Sequence, residues 1–266
     1  MDDDPVPRED VAAPVRVYTM GRFALVKDGV PIAFTGKKSP RKALELLQAL
    51  IALGGRDVHL SHLMGAVWSD IESSDQRKLF DNTLHRLRKL LGCNEAIVLG
   101  GTKLTLNHEA CWVDAWAFQR QAGMILSGKD ASEQAALRAI ALYQGSFLTG
   151  ELDLPWLISY RFRLHSLFLR LVLTHGQTLE AAGKWRGAVD MYEFAIEKDN
   201  LVERLYQRLI FCNQALGEHA EALRVYRRCH QVLSVVFGVQ PSRETERISQ
   251  FSREVGRAAG GADAGP

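Results

Sequence analysis

The sequence predicts two folded parts, an α+β unit within the first 112 residues and an all-α repeat unit after it. Three observations carry that division. Short strand-like segments bracket a run of three amphipathic helices between Val15 and Leu106. From Val113 onward no strand pattern survives. Four residues of the second half then recur at a spacing of 34. A chain of 266 residues has room for two ordinary domains. Its composition, 47% hydrophobic and 24% charged, suffices to bury a sizeable core.

Residues 1–14 are acidic and hold Pro5, Pro7 and Pro14, so they read as a disordered lead-in. Val15-Arg16-Val17-Tyr18 and Phe23-Ala24-Leu25-Val26 are strand-like. Asp28-Gly29 supplies a tight turn into Pro31-Ile32, because the turn demands positive φ. Ser39-Pro40 opens the first helix, with Ser as cap and Pro in the first turn. Ala43, Leu44, Leu47, Leu50 and Ile51 follow at helical spacing until Gly54-Gly55. A short second helix is expected over about Leu60–Trp68, then a polar linker from Ser69 to Asp75.

The third helix, Gln76–Leu91, has Phe80, Leu84, Leu87 and Leu91 at i, i+4, i+7 and i+11, one apolar face. Its other faces carry Arg77, Lys78, Asn82, His85, Arg86, Arg88 and Lys89, with Asp81 as the sole acid, for a net charge of +4. Ile97-Val98-Leu99 and Thr102–Leu106 then form a hairpin about Gly100-Gly101. A small sheet, three helices and a terminal hairpin are the order of a winged helix. The second part reads as helices over Asp114–Leu126, Ser132–Tyr143 and Leu154–Ala182, followed by two helical hairpins. In those hairpins Ala181, Gly183, Ala188 and Tyr192 recur as Ala215, Gly217, Ala222 and Tyr226. That is the tetratricopeptide period, in which small residues let paired helices approach and the Tyr fills the groove between them. The expected layout is a lead-in over 1–14, a winged helix over 15–112, the repeat domain over 113–255 and a disordered Gly/Ala-rich tail over 256–266.

Charge is uneven along the chain. Val15–Trp112 has 14 Lys and Arg against 9 Asp and Glu, net +5, whereas residues 1–14 sum to −4 and the remainder to +1. A basic first domain suits a polyanion. The opening residues Asp2, Asp3, Asp4, Glu9 and Asp10 do not resemble a signal peptide, and no run approaches the roughly 18 apolar residues of a membrane span, so a cytoplasmic protein without membrane contact is expected. Cys93, Cys111, Cys212 and Cys229 form no C-x-x-C pair, and only Cys111 with His108 comes near ligand spacing, which reads as reduced thiols and no metal. His59, His62 and His85 share no ligand spacing. Trp68, Trp112, Trp116, Trp156 and Trp185 sit among apolar neighbours and read as core. P-loop, G-x-G-x-x-G, H-E-x-x-H and G-x-S-x-G motifs are absent from the sequence, which points away from an enzyme and from a cofactor.

An α-helix fits the major groove of B-DNA, where base edges differ in donor and acceptor pattern. On Gln76–Leu91, Arg86 suits a guanine and Asn82 an adenine, while Lys78 and Lys89 suit phosphates. Lys103, at the hairpin tip beside Thr102, suits phosphate or the minor groove. The competing explanation is an ordinary solvated face, as charged helix faces usually are; the neighbouring hairpin and preceding helix weigh against it.

These residues resemble the SARP family of bacterial activators. The likeness lies in Val17–Phe23, the Asp28-Gly29 turn, Leu63–Trp68 and above all Leu84-His85-Arg86-Leu87-Arg88-Lys89-Leu90-Leu91. Gly217, Ala220–Leu223, Tyr226-Arg227-Arg228 and Phe237–Ser242 are similar to that family's bacterial transcriptional activator (BTAD) domain. The resemblance covers about Val15 to Phe251. It implies an OmpR-type winged helix that binds direct repeats in promoters and recruits RNA polymerase, with a tetratricopeptide-like domain for self-association as a homodimer. It also implies that Arg86 and Arg88 are the helix-three arginines and that Thr102-Lys103 belong to the wing. Two departures stand out. Lys103 occupies a position where the family's wing usually has an aromatic, and a receiver or nucleotide-binding input domain is missing from this sequence. The expected function is therefore a sequence-specific regulator of transcription on double-stranded DNA. The rival readings are a protein-docking module with little DNA affinity, and a helical domain that senses a small-molecule effector in its concave face.

Overall fold

Val15 and Val17 are fully buried while Arg16 and Tyr18 are not, and this alternation makes Val15–Tyr18 (β1) an inner strand. It pairs antiparallel with Ala24–Lys27 (β2), Val15 opposite Lys27. Asp28 and Gly29, with φ of 49° and 81°, turn the chain into Val30–Pro31 (β3). Two successive positive φ values make the turn whose twist matches the paired strands. The far edge of the sheet is a strand that the sequence pattern does not reveal. Cys111–Val113 (β7) runs parallel to β1, giving the order β3-β2-β1-β7. Three residues are too few to display a period.

The computed structural model describes residues 13–33, 40–150 and 154–261. The predicted cap Ser39 and most of the lead-in lie outside that set. Arg41–Ala52 (α1) begins after Pro40, whose carbonyl accepts from the N–H groups of Ala43 and Leu44. Proline thus stands at the cap position itself rather than in the first turn. Val58–His59 (β4) leads into Leu60–Val67 (α2), and Ser73–Leu91 (α3) follows, starting three residues earlier than its apolar stripe suggests. Ile97–Gly100 (β5) and Lys103–Leu106 (β6) form the wing. Gly100 pairs with Lys103, so the turn is Gly101-Thr102 and not Gly100-Gly101; Gly101 carries the positive φ of 59°. Strand β4 adds itself to β6, His59 opposite Lys103, and braces the wing from behind.

The fold divides into two compact units. One contains residues up to Met124 together with Leu137–Leu167; the other contains Ile125–Ala136 and everything from Phe168 on. The first compact unit extends past Val113: it also takes in Asp114–Leu126 (α4) up to Met124, the later part of Glu133–Leu142 (α5) and the start of Pro155–Ala181 (α6). Backbone pairing explains the addition: Gly21 donates to Ser146, and Leu148 donates to Thr19. Gly21, at φ 80°, lies so close to the Gln144 carbonyl that a β-carbon would reach within 2.8 Å of it.

The first unit is also tied together by Asp114, a fully buried carboxylate at the start of α4. It accepts hydrogen bonds from the Thr19 and Met20 backbone N–H groups, the Thr19 hydroxyl and the Ala115 N–H. Burial pushes its pKa up to about 6, and those donors pull the other way.

The second unit holds the repeat. Trp185–Lys198 (α7), Glu203–Ala215 (α8), His219–Phe237 (α9) and Arg243–Gly261 (α10) pack as successive hairpins. Ala188 and Ala222 are fully buried, as is Tyr192. A β-carbon on Gly176 would meet the Tyr192 hydroxyl at 2.1 Å, so the tyrosine does occupy a groove that a glycine opens. The hydroxyl then donates to buried Glu180 at 2.8 Å, where Arg208 supplies the countercharge. Thr245, Ser249 and Ser252 are fully buried on α10, and Gln207 and Gln214 of α8 hydrogen-bond to Thr245 and Ser252. The helix runs on to Gly261, through the first part of the stretch that composition assigns to a tail; Ala258-Ala259 there are strong helix formers.

Asp114→Ala strands several buried donors and is expected to cost about 3 kcal/mol in urea unfolding. Because the folded pKa of Asp114 lies above its unfolded value of 3.8, its proton-linked stability is fully present below about pH 4 and is lost as pH rises through about 6. The stability difference between wild type and Asp114→Asn should fall across that window, and a flat difference would count against it. Gly176→Ala should destabilise by about 2 kcal/mol through overpacking. Gly187→Ala, whose β-carbon would meet nothing nearer than Leu179 at 3.8 Å, should instead stabilise α7 by about 0.5 kcal/mol.

Candidate nucleic-acid interface

Helix α3 is positioned by what it buries. Phe80, Leu84, Leu87 and Leu91 are all at most 3% exposed and pack on α1 and α2. Each such side chain contributes roughly 1.5–3 kcal/mol. The ring of Trp68 meets Phe80 edge-on at 6.5 Å. At the start of the helix, the Gln76 amide donates to the carbonyls of Trp68 and Ile71 at 2.9 and 2.7 Å, which fixes the entry of α3 against the end of α2. At its end, Gly92 adopts φ 59° and Lys27 of β2 donates to the Gly92 carbonyl at 2.9 Å. A cation at a helix C-terminus opposes the exposed carbonyl dipoles.

With that seam inward, geometry assigns the remaining side chains. At 3.6 residues per turn, Lys78, Asn82, His85, Arg86 and Lys89 fall within an arc of about 100° on the opposite face. All five are exposed, and none has a hydrogen-bond or ion-pair partner among the described residues. Asp75 shares the arc at its N-terminal end. The other two cations of the helix are engaged elsewhere. Arg77 pairs with Asp81 one turn on, at 3.2 Å, with its guanidinium 5.9 Å from the Phe80 ring. Arg88 is half-buried and donates from Nη2 to the Ile97 carbonyl at 3.1 Å, joining α3 to the first wing strand. It is a positioning residue rather than part of the free face. The same period that exposes Arg86 turns Arg88, roughly 160° around the axis, toward the wing.

Thr102 and Lys103 are exposed at the wing tip. The Thr102 carbonyl accepts from the Leu60 N–H at 2.9 Å, so the tip is anchored to the start of α2. His59, opposite Lys103, lies 5.9 Å from His62 ring to ring. Sequence reasoning missed Lys27, Gln76 and His59. Lys27 acts through a contact 65 positions away, His59 through a two-residue strand, and Gln76 through backbone carbonyls five and eight residues back, which residue type does not mark.

The family model for the bacterial transcriptional activator domain, BTAD, matches residues 113–251, just over half of the chain. The chain belongs to this family, that of the SARP transcriptional activators. The regulatory protein AfsR of Streptomyces griseus is 26% identical over 223 residues, which are 80% of this chain and 23% of AfsR. The structure of Mycobacterium tuberculosis EmbR in complex with a low affinity phosphopeptide is similar over 91% of this SARP chain and 65% of EmbR, with a TM-score of 0.64 and 19% identity. That likeness shows the fold, a winged helix followed by a tetratricopeptide-like domain. The SARP chain spans about a quarter of the length of AfsR and under two thirds of EmbR. Among the described residues no helix is long and apolar enough to cross a membrane.

The two neighbouring arginines of α3 should separate cleanly. Arg88→Ala is expected to lower stability by about 1–2 kcal/mol, since it leaves the Ile97 carbonyl without its donor. Arg86→Ala should stay within about 0.5 kcal/mol of wild type, as an exposed, unpaired site does. Thermal denaturation of both variants checks this; equal losses would place Arg86 in the scaffold.

Proposed function

We propose that this SARP-family protein is a cytoplasmic, DNA-binding activator of transcription that reads the major groove with α3. The observation that carries the proposal is the exposed face of Lys78, Asn82, His85, Arg86 and Lys89, unpaired among the described residues and set on a helix whose opposite seam is buried. The major groove is about 12 Å wide and admits one such helix. Asn82 can engage an adenine and Arg86 a guanine through two hydrogen bonds each, and Lys78 and Lys89 flank them as phosphate contacts. Lys103 on the braced wing adds a third phosphate contact. Arg88, held by the Ile97 carbonyl, sets the angle between helix and wing instead of reading bases.

Family membership supports the rest of the picture: two copies on a direct repeat, with recruitment of RNA polymerase. Paired copies raise the local concentration of the second DNA contact and bind cooperatively.

Fluorescence anisotropy with duplexes selected from promoter DNA, at two salt concentrations, tests the reading. Wild type should weaken steeply with salt, because phosphate contacts release counterions. Lys89→Ala should weaken all sequences alike and reduce the log–log salt slope by about one. Arg86→Ala should cost about 1–3 kcal/mol on the selected site and relax preference at one base pair. Weak, sequence-blind binding shared by wild type and Arg86→Ala would make the winged helix a docking fold.

A further inference from the structure

The face of α3 that the DNA reading uses is complementary in charge to another part of the same chain. Residues 1–12 hold Asp2, Asp3, Asp4, Glu9 and Asp10 against Arg8 alone, a net charge of −4. The described chain resumes next to the end of α3. The Pro14 carbonyl accepts from Asp28 N–H at 2.8 Å, and Val15 lies opposite Lys27 in the sheet. Lys27 in turn reaches the carbonyl of Gly92, the residue that caps α3. Val15, where the described chain enters the sheet, therefore lies about one lysine side chain away from the C-terminal end of the helix. Its last two turns carry His85, Arg86 and Lys89, while the acids Asp75 and Asp81 lie toward the other end.

Reach is no obstacle. Twelve residues span at most about 40 Å when extended. From Gly92 back to Arg86 is about 9 Å along the helix axis, and back to Lys78 about 21 Å. The carbonyl dipoles at a helix C-terminus would repel an acidic segment, and here Lys27 already neutralises that end.

We propose that residues 1–12 seat on the C-terminal half of the exposed α3 face and compete with DNA for His85, Arg86 and Lys89, as an electrostatic brake within the chain. The proposal rests on α3 as the DNA-reading helix, but the contact itself does not require DNA. A tethered segment acts at an effective concentration near the millimolar range, so weak ion pairs suffice to hold it part of the time. Exposed charges are screened over about 10 Å at 0.1 M salt, so the brake releases as salt rises. It lowers non-specific binding most, because that binding is almost wholly electrostatic.

The test uses the full chain with Asp2, Asp3, Asp4 and Asp10 changed to Asn and Glu9 to Gln. Without DNA, acylation of lysines by an amine-reactive ester is followed by mass spectrometry, with the exposed Lys129 as reference. At low salt Lys89 should label about threefold faster in the neutralised variant, Lys129 should not change, and the difference should vanish near 0.5 M salt. Equal labelling of Lys89 in both proteins overturns the proposal. With random-sequence duplex at low salt, the variant should bind about tenfold tighter than wild type, converging at high salt. Equal affinities with both proteins bound also overturn it. If Lys89 is unmasked but neither protein binds duplex, the contact stands and the DNA reading fails.

Discussion

Every feature of the candidate interface depends on one apolar seam. Phe80, Leu84, Leu87 and Leu91 commit one side of α3 to the core, and the 3.6-residue period then dictates which side chains are left outside. The selection is sharp enough to split adjacent cations. Arg86 is presented and Arg88 is drawn in to the Ile97 carbonyl, though they stand two residues apart. A helix held this way keeps its backbone in place when it meets a partner, since the buried seam and the contacts of Gln76 and Lys27 fix it along its length and at its two ends.

The wing follows the same logic at smaller scale. A two-stranded hairpin is marginal by itself. Here β4 adds a third strand behind it, Leu104 and Leu106 are fully buried, and Thr102 is hydrogen-bonded to the start of α2. Lys103 is therefore presented from a fixed platform. In the second unit, rigidity comes from close approach instead: Gly176 admits Tyr192, Glu180 collects Tyr192 and Arg208, and Thr245 and Ser252 tie α10 to α8.

Much of this was legible in the sequence because it repeats on a short period. The α3 stripe, the Asp28-Gly29 turn, the start of α4 at Asp114 and the 34-residue repeat all announce themselves within a few residues or at one fixed offset. What escaped was long-range or too short to be periodic. Strand β7 has three residues and finds its partner almost a hundred positions earlier. The Thr19–Asp114 knot, which gathers four donors on one carboxylate, spans the same gap. The addition of residues 137–167 to the first unit depends on the backbone pairing of Gly21 and Thr19 with Ser146 and Leu148, and backbone groups leave no mark on residue type. The wing turn slipped by one position because two glycines stand side by side, and only the register of Gly100 with Lys103 chooses between them.

The central claim is that the Asn82–Arg86 face of α3 enters the major groove, and proximity crosslinking tests it most directly. Asn82→Cys, in a chain with Cys93 changed to Ser, is incubated with promoter-selected duplexes that carry a thiol tether on one base in the major groove. The account predicts a disulfide at Asn82→Cys for one or two base positions, and none for a cysteine at the exposed Gln231 of the second unit. Capture at Gln231→Cys but not at Asn82→Cys, or capture at neither, would contradict it.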